Sequence, residues 1–153
     1  MQALELRIPP PVVAALFAGA MWAISFVSPL LDIPGSVRVP AATILALTGG
    51  IFVIAGTISF ALARTTINPM KPETTSSLVR SGVYGISRNP MYVGLLFVLA
   101  GWAAYLASAW ALLGLVAFVP YMNRFQIAPE ERALSALFGT EYTAYASKVR
   151  RWL

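Results

Sequence analysis

The sequence contains no cysteine and no histidine. Without cysteine there is no disulfide framework, no thiol nucleophile and no thiolate metal site. Without histidine the chain lacks the commonest metal ligand and the commonest general base. We therefore predict no metal site. Any catalysis must use acidic, hydroxyl or basic side chains, the backbone, or a cofactor that brings its own reactivity.

Charged residues are also scarce, at 11% of the 153 residues, while 58% are apolar. A soluble domain has roughly 25% charged residues, with which it covers its surface. This composition excludes an ordinary cytosolic globular protein and a disordered chain. It predicts one membrane-embedded domain comprising residues 1–153.

Three stretches carry no charge: residues 8–31, 39–63 and 89–123. A membrane-spanning helix needs ~20 predominantly apolar residues. The third stretch, with 35 residues, would form a helix of roughly 52 Å, whereas the hydrocarbon core is only ~30 Å thick. It therefore predicts a hairpin of two short helices that turns near residues 106–108.

The predicted fold is an all-α, multi-pass membrane bundle of about four transmembrane helices, the last two forming the hairpin. Residues 1–63 supply two spans, and residues 64–153 supply a loop, the hairpin and C-terminal amphipathic helices. Four spans place ten of the eleven positive charges on one side and only Arg38 on the other, which is typical of the cytoplasmic face. Both termini and the 64–90 loop are then cytoplasmic. The net charge of +5 calls for anionic lipid rather than nucleic acid.

Small residues four positions apart occur within the predicted spans. The pairs Ala15 and Gly19, and Ala46 and Gly50, have the spacing that allows two helices to approach closely. They predict helix contacts at these positions.

The polar segment 64–89 contains the turn signals Asn68-Pro69 and Lys71-Pro72, and we interpret it as an ordered loop at the membrane surface. Arg80 and Arg88, with nearby glycines, have the chemistry to bind an anion through guanidinium and backbone N–H groups. The alternative is that both arginines anchor the loop to lipid phosphates.

The C-terminal tail is amphipathic. Pro129 suits the first turn of a helix, Glu130 and Glu131 stand at its favourable N-terminal end, and Gly139 predicts its stop. A second short helix follows with one largely aromatic face, formed by Tyr142, Tyr145, Val149 and Trp152. Two roles stay open here: an interfacial helix, or acidic residues that hold ligand hydroxyls or a cation.

Two runs of this sequence resemble a known family. Residues 82–94 (GVYGISRNPMYVG) are similar to the G-x-Y-x-x-x-R-[HN]-P-x-Y-x-G signature of integral-membrane isoprenylcysteine carboxyl methyltransferases and phospholipid N-methyltransferases. Residues 130–145 resemble their second signature, E-E-x-x-L-x-x-x-F-G-x-x-Y-x-x-Y. The resemblance covers about residues 64–153, and the first two spans match only in hydropathy.

The resemblance implies S-adenosylmethionine as the cofactor and a lipophilic acceptor that enters from the bilayer, with membrane lipids as surroundings. The sulfonium makes the methyl group electrophilic, so the protein needs neither a metal nor a nucleophile of its own. The acceptor stays open between an isoprenylcysteine-like carboxylate and a phospholipid or other lipid. An ammonium acceptor would need a base, which here means Glu, Asp, Tyr or solvent.

The resemblance also implies roles for single residues. Arg88 is expected near the cofactor carboxylate or an acidic acceptor, and Glu131, with Glu130 behind it, is expected to accept from ribose hydroxyls or the cofactor amine. Arg88 and Glu131 are thus the candidate catalytic pair. Asn89 stands where many members have histidine and is expected to bind the cofactor's amino-acid end.

The remaining predicted site residues are structural or aromatic. Pro90 is expected to start the hairpin helix, and Tyr92 is expected to face the pocket. The aromatic residues expected to flank the adenine or close the cavity are Tyr84, Phe138, Tyr142 and Tyr145.

Two other functions are alternatives for this sequence. Membrane sterol reductases that bind NADPH carry a similar Arg-His-Pro-x-Tyr run, but they lack the Glu-Glu and Phe-Gly pattern found here. The third hypothesis is a non-enzymatic scaffold whose basic face binds anionic lipid.

Overall fold

A computed structural model describes residues 5–65, 70 and 72–153. The described residues form helices and no named strand; one isolated antiparallel bridge joins Leu30 to Ser108. The all-α prediction is therefore confirmed. The α-helices are α1 (Pro10–Ser25), α2 (Gly35–Leu62), α3 (Pro90–Leu106), α4 (Leu112–Met122) and α5 (Ala128–Ala146), with short 3₁₀ turns at Pro72–Thr74 and Gly82–Gly85.

Helix α2 is long and apolar enough to cross a membrane. Its 28 residues extend about 42 Å. Only Gly49, Gly56 and Ser59 of this helix are buried, and eight of its large apolar side chains are exposed. An apolar surface of this extent is stable in lipid rather than in water.

Helix α1 is shorter than the charge-free stretch that predicted it. It has 16 residues, because the chain leaves the helix after Ser25 and runs back across the hairpin turn. There the backbone N–H of Leu31 donates to the carbonyl of Ala107 at 2.7 Å, and that of Ala109 donates to Pro29 at 3.3 Å.

The predicted break in the third stretch is confirmed. Helix α3 ends at Leu106, Ala107 has a left-handed conformation with φ 47°, and α4 begins at Leu112. Helices α3 and α4 therefore form a hairpin. Its turn packs on the segment that follows α1.

The hairpin does not end at Arg124, where the charge pattern predicted a boundary. Helix α4 continues through a π-helical turn (Asn123–Ile127) directly into α5. The widened turn precedes Pro129, which cannot donate an N–H to the preceding turn. Within α5, Gly139 has φ 50° and ψ −119°, so the predicted helix stop at this glycine is confirmed as a sharp kink.

Helices α2 and α3 pack antiparallel along a seam of small residues. A Cβ atom at Gly49 would lie 2.5 Å from the carbonyl oxygen of Gly94, and one at Gly101 would lie 2.7 Å from that of Ala42. At Gly19 and Gly50 a Cβ would meet no atom within 4 Å. The predicted close-contact pairs were therefore wrong at their glycines: the real seam on α2 repeats every seven residues.

The apolar core lies between α1, α3 and α4. It is centred on Met21, Leu99, Phe118 and Met122, all at most 2% exposed. Trp152, near the C-terminus, packs against this core, and its indole N–H donates to the side-chain oxygen of Asn123 at 3.0 Å. The last residues of the chain are thereby brought back to the end of α4.

Candidate functional site

A cavity of about 110 Å³ lies where the end of α2, the start of α3, the start of α5 and the loop between α2 and α3 meet. Eight of the ten predicted site residues line it: Tyr84, Arg88, Asn89, Tyr92, Glu130, Glu131, Tyr142 and Tyr145. Residues as far apart in the sequence as Tyr84 and Tyr145 thus share one cleft. Further walls that sequence reasoning missed come mainly from the loop and α2: Phe60, Pro72, Thr75, Ser77, Leu78, Val79, Met91 and Leu134.

An ion pair between Arg88 and Glu131 forms the polar part of the cavity. An Nη of Arg88 lies 3.2 Å from Oε1 of Glu131, and the two side chains are only 16% and 18% exposed. Nε of Arg88 is buried and has no hydrogen-bond partner in the described part of the chain. A buried donor without a partner is costly, so this guanidinium retains capacity for a ligand acceptor.

Glu131 also pairs with Arg151, which sequence reasoning did not place in the site. Nε of Arg151 donates to Oε1 of Glu131 at 3.1 Å, and an Nη of Arg151 donates to the other oxygen. This hydrogen bond raises the pKa of Arg151. Glu131 is therefore held by two guanidinium groups, of which that of Arg88 lines the cavity and that of Arg151 does not.

Glu130 has a different environment. The hydroxyl of Tyr92 donates to its Oε1, and removal of its carboxyl from water, aided by the nearby charge of Glu131, raises its pKa to about 8. At neutral pH this carboxyl is mostly protonated, whereas Glu131 is paired with cations. Two adjacent carboxyls on one helix turn thus have different surroundings.

Tyrosines form the aromatic part of the cavity. The hydroxyl of Tyr145 donates to the carbonyl oxygen of Tyr84 at 2.7 Å, and the ring of Tyr84 packs edge-on against Phe60 at 5.4 Å. Burial raises the pKa of Tyr142 and of Tyr145 to about 12. These phenols are therefore neutral at physiological pH and present flat apolar faces with hydroxyl donors.

The C-terminal tail holds the segment before α3 in place. The backbone N–H of Arg88 donates to the carbonyl of Arg150 at 2.9 Å. The side-chain amide of Asn89 donates to the carbonyl of Arg151 at 2.9 Å, and the hydroxyl of Ser87 donates to the same carbonyl at 3.3 Å. Asn89 lines the cavity, but its amide is engaged by the tail. No sequence signal pointed to Ser87 or to these backbone contacts.

The other predicted residues lie outside the cavity lining. Pro90 is buried in the first turn of α3, as expected of a helix start. Phe138 is only partly buried, next to the kink at Gly139, and does not line the cavity. Arg80 pairs with Glu141 at 3.1 Å on the surface, so it does not join Arg88. Asn68-Pro69 and Lys71 lie outside the described residues.

A family model described as phospholipid methyltransferase matches residues 37–141, which is more than half of the chain. The chain belongs to the phospholipid methyltransferase family. The match includes α2, the loop, the hairpin and most of α5, and therefore nearly all of the cavity. Membership of this family makes the chain a membrane-associated methyltransferase by class, which agrees with the resemblance seen in residues 82–94 and 130–145.

One relative of this chain is shorter than the chain itself. An uncharacterized protein of Haemophilus influenzae is 48% identical over 63 residues, which are 41% of this chain and the whole of that protein. No solved structure matches the chain.

Proposed function

We propose that this protein is an S-adenosylmethionine-dependent membrane methyltransferase that acts on a lipophilic acceptor. The observation that carries the proposal is the Arg88–Glu131 pair, mostly buried and 3.2 Å apart, in an aromatic-walled cavity. Had these side chains pointed into different parts of the molecule, the two sequence motifs would not form one site.

The residues of the cavity fit the chemical groups of S-adenosylmethionine. Its amino-acid end carries a carboxylate, for which Arg88 offers an unpartnered Nε, and an ammonium, for which Glu131 offers carboxylate oxygens. The carboxyls of Glu130 and Glu131 offer acceptors for the ribose hydroxyls. Tyr84 and Tyr142 offer aromatic faces, which attract both cations and a purine ring.

When bound, the cofactor supplies an electrophilic methyl group. The protein then has two tasks. Arg88 and Glu131 orient the ligand by opposed charges, and the walls exclude water from the site. Glu130 can hold a proton near neutral pH, because its pKa is about 8. Once ionised, it can take a proton from an amine acceptor, whereas a carboxylate acceptor needs no base.

The membrane arrangement is part of the proposal. Four spans with the site at the cytoplasmic face place a polar cofactor cleft at the interface and apolar helices in lipid. The contact between Tyr145 and Tyr84 supports an even number of crossings between the α2–α3 loop and the tail, because it brings both to the same end of the bundle.

Calorimetry on the purified protein in mild detergent tests cofactor binding. We expect S-adenosylmethionine and its demethylated product to bind, and NADPH not to compete. Arg88→Ala and Glu131→Ala should each weaken binding by about tenfold or more, since charge-assisted hydrogen bonds are lost. The matched controls are Arg80→Ala and Glu141→Ala, which break an exposed ion pair outside the cavity.

Labelled-methyl transfer to extracted membrane lipids, followed by identification of the product, tests the activity and names the acceptor. A folded sample that binds neither cofactor form would refute the proposal. So would equal losses of binding in the cavity variants and in the two surface controls.

A further inference from the structure

A second cavity, of about 640 Å³, shares no lining residue with the Arg88–Glu131 cleft. It is a groove between α1 and α2 with α3 as its floor. Its walls are built from small side chains, namely Ala14, Ala15, Ala18, Ala42 and Ala46. The groove exists because α1 and α2 both pack on α3 and the alanines do not fill the space that remains between them.

The polar side chains Thr43 and Trp102 in the walls of this groove are hydrogen-bonded within the protein. The hydroxyl of Thr43 donates to the carbonyl of Val39 at 2.9 Å within α2. The indole N–H of Trp102 donates to the carbonyl of Ala18 at 3.0 Å. Because both polar side chains bond within the wall, the groove suits a hydrocarbon occupant.

The length of the groove matches one leaflet of a bilayer. Its floor on α3 runs from Leu95 to Tyr105, a rise of about 15 Å. The hydrocarbon core of a bilayer is ~30 Å thick, so one leaflet contributes about half of that. Tyr105 stands at the outer end, where an aromatic residue is typical of the lipid headgroup level.

A cation stands at the same end. Arg38 lies one turn before Ala42 on the same face of α2, and its guanidinium carbon is 5.9 Å from the centre of the Tyr105 ring. Its Nε is buried without a hydrogen-bond partner, and no carboxylate among the described residues forms an ion pair with it. The groove thus combines an apolar trough with an unpaired positive charge at its mouth.

We propose that this groove is a binding site for a phospholipid, with one acyl chain between α1 and α2 and the phosphate on Arg38. The phosphate of this lipid would lie about 20 Å from the catalytic end, because Tyr105 is thirteen residues beyond Tyr92 on α3. Its headgroup is therefore not placed to be the methyl acceptor. The proposal relies on the membrane arrangement given above but not on methyl transfer.

Native mass spectrometry of the protein in mild detergent tests the site. We expect one retained phospholipid per chain. Arg38→Gln should lower retention about tenfold, through loss of a charge-assisted contact, and Ala15→Phe and Ala46→Leu should lower it by filling the groove. The matched controls are Arg80→Gln, on the surface of the other end, and Ala20→Phe, an exposed alanine of α1 outside the groove.

Thermal unfolding with added lipid identifies the ligand chemistry. Phospholipid should raise the melting temperature more than diacylglycerol with the same chains or inorganic phosphate alone. Equal retention in Arg38→Gln, or in both groove-filling variants when these are folded, would overturn the proposal, as would equal stabilisation by diacylglycerol. Cofactor binding measured on Arg38→Gln should be unchanged, so failure here is distinct from failure of the methyltransferase proposal.

Discussion

At the scale of single residues, the site depends on two adjacent carboxyls that have different surroundings. Glu131 forms ion pairs with Arg88 and Arg151, while Glu130, one position away, has a pKa of about 8. The sequence motif contains both glutamates but does not indicate that their surroundings differ. That difference arises from the partners that the fold provides: two guanidinium groups for one, and a phenol with little water for the other.

Arg151 should act as a positioning residue for Glu131. Arg151→Ala removes one of the two guanidinium groups, and we expect the dissociation constant for S-adenosylmethionine to rise about threefold to tenfold. Arg151→Lys should restore part of the affinity, because the charge is kept but the paired geometry is lost. The control is Arg150→Ala, whose contact with Arg88 uses only the backbone carbonyl. Equal effects of the two alanine variants would contradict this role.

Glu130 should make the stability of the folded protein depend on pH. Its pKa rises from the ordinary value of 4.5 to about 8 on folding, so the folded state holds a proton that the unfolded chain releases. Stability is therefore greatest at the acidic end and falls as the pH rises through this window. Glu130→Gln should flatten the melting temperature measured from about pH 5 to pH 9.

A comparison of Glu130→Gln with wild type at the two ends of this pH range gives the sign of the change in stability. Glu130→Gln should be close to wild type near pH 5 and more stable than wild type near pH 9, since glutamine never acquires the buried charge. Glu141→Gln, at an exposed site, serves as the control. A wild-type curve that rises over this range would contradict the assignment.

At the scale of helices, the seam between α2 and α3 carries the site. These helices approach so closely that backbone carbonyls of one lie where side chains of the other would begin. The approach brings the end of α2, with Phe60, against Tyr84 and the start of α3. The hydropathy of these stretches predicted two helices, but the seven-residue spacing of small residues that joins them was recognisable only in the packed pair.

Gly94→Ala tests this seam. A Cβ at this position would lie 2.6 Å from the carbonyl oxygen of Gly49, so the helices must separate, at a cost of roughly 1–3 kcal/mol. Gly50→Ala, where a Cβ meets nothing within 4 Å, should be neutral or slightly stabilising, because alanine is the better helix former. The melting temperatures of the two variants in the same detergent check the contrast. Equal values would show that the seam is not close-packed.

At the scale of the whole molecule, the bundle has two chemically different ends. One end contains the charged cleft, the C-terminal tail and most basic residues. The other contains the hairpin turn and Arg38. Because the chain has no native cysteine, the sidedness of these ends can be measured with single introduced cysteines and no background.

Ser36→Cys, Ser81→Cys and Ser147→Cys place one thiol each at exposed positions. In intact cells, an impermeant thiol reagent added from outside should label only position 36. Positions 81 and 147 should react only after the membrane is opened. Labelling of position 147 but not of position 81 from outside would indicate an odd number of crossings between them and contradict the four-span arrangement. Circular dichroism of the purified variants serves as the folding control.

The sequence by itself determined the helical class, the helix break after Leu106, the kink at Gly139 and half of the side chains that line the cleft. These follow from local chemistry: hydropathy, glycine and proline placement, and two motifs that contain their own spacing. Only the tertiary structure decided that α4 continues into α5, that Phe138 stays outside the cavity, and that Arg151 shares Glu131 with Arg88. Such contacts join residues distant in the chain, and their geometry depends on how the helices pack, which no local pattern specifies.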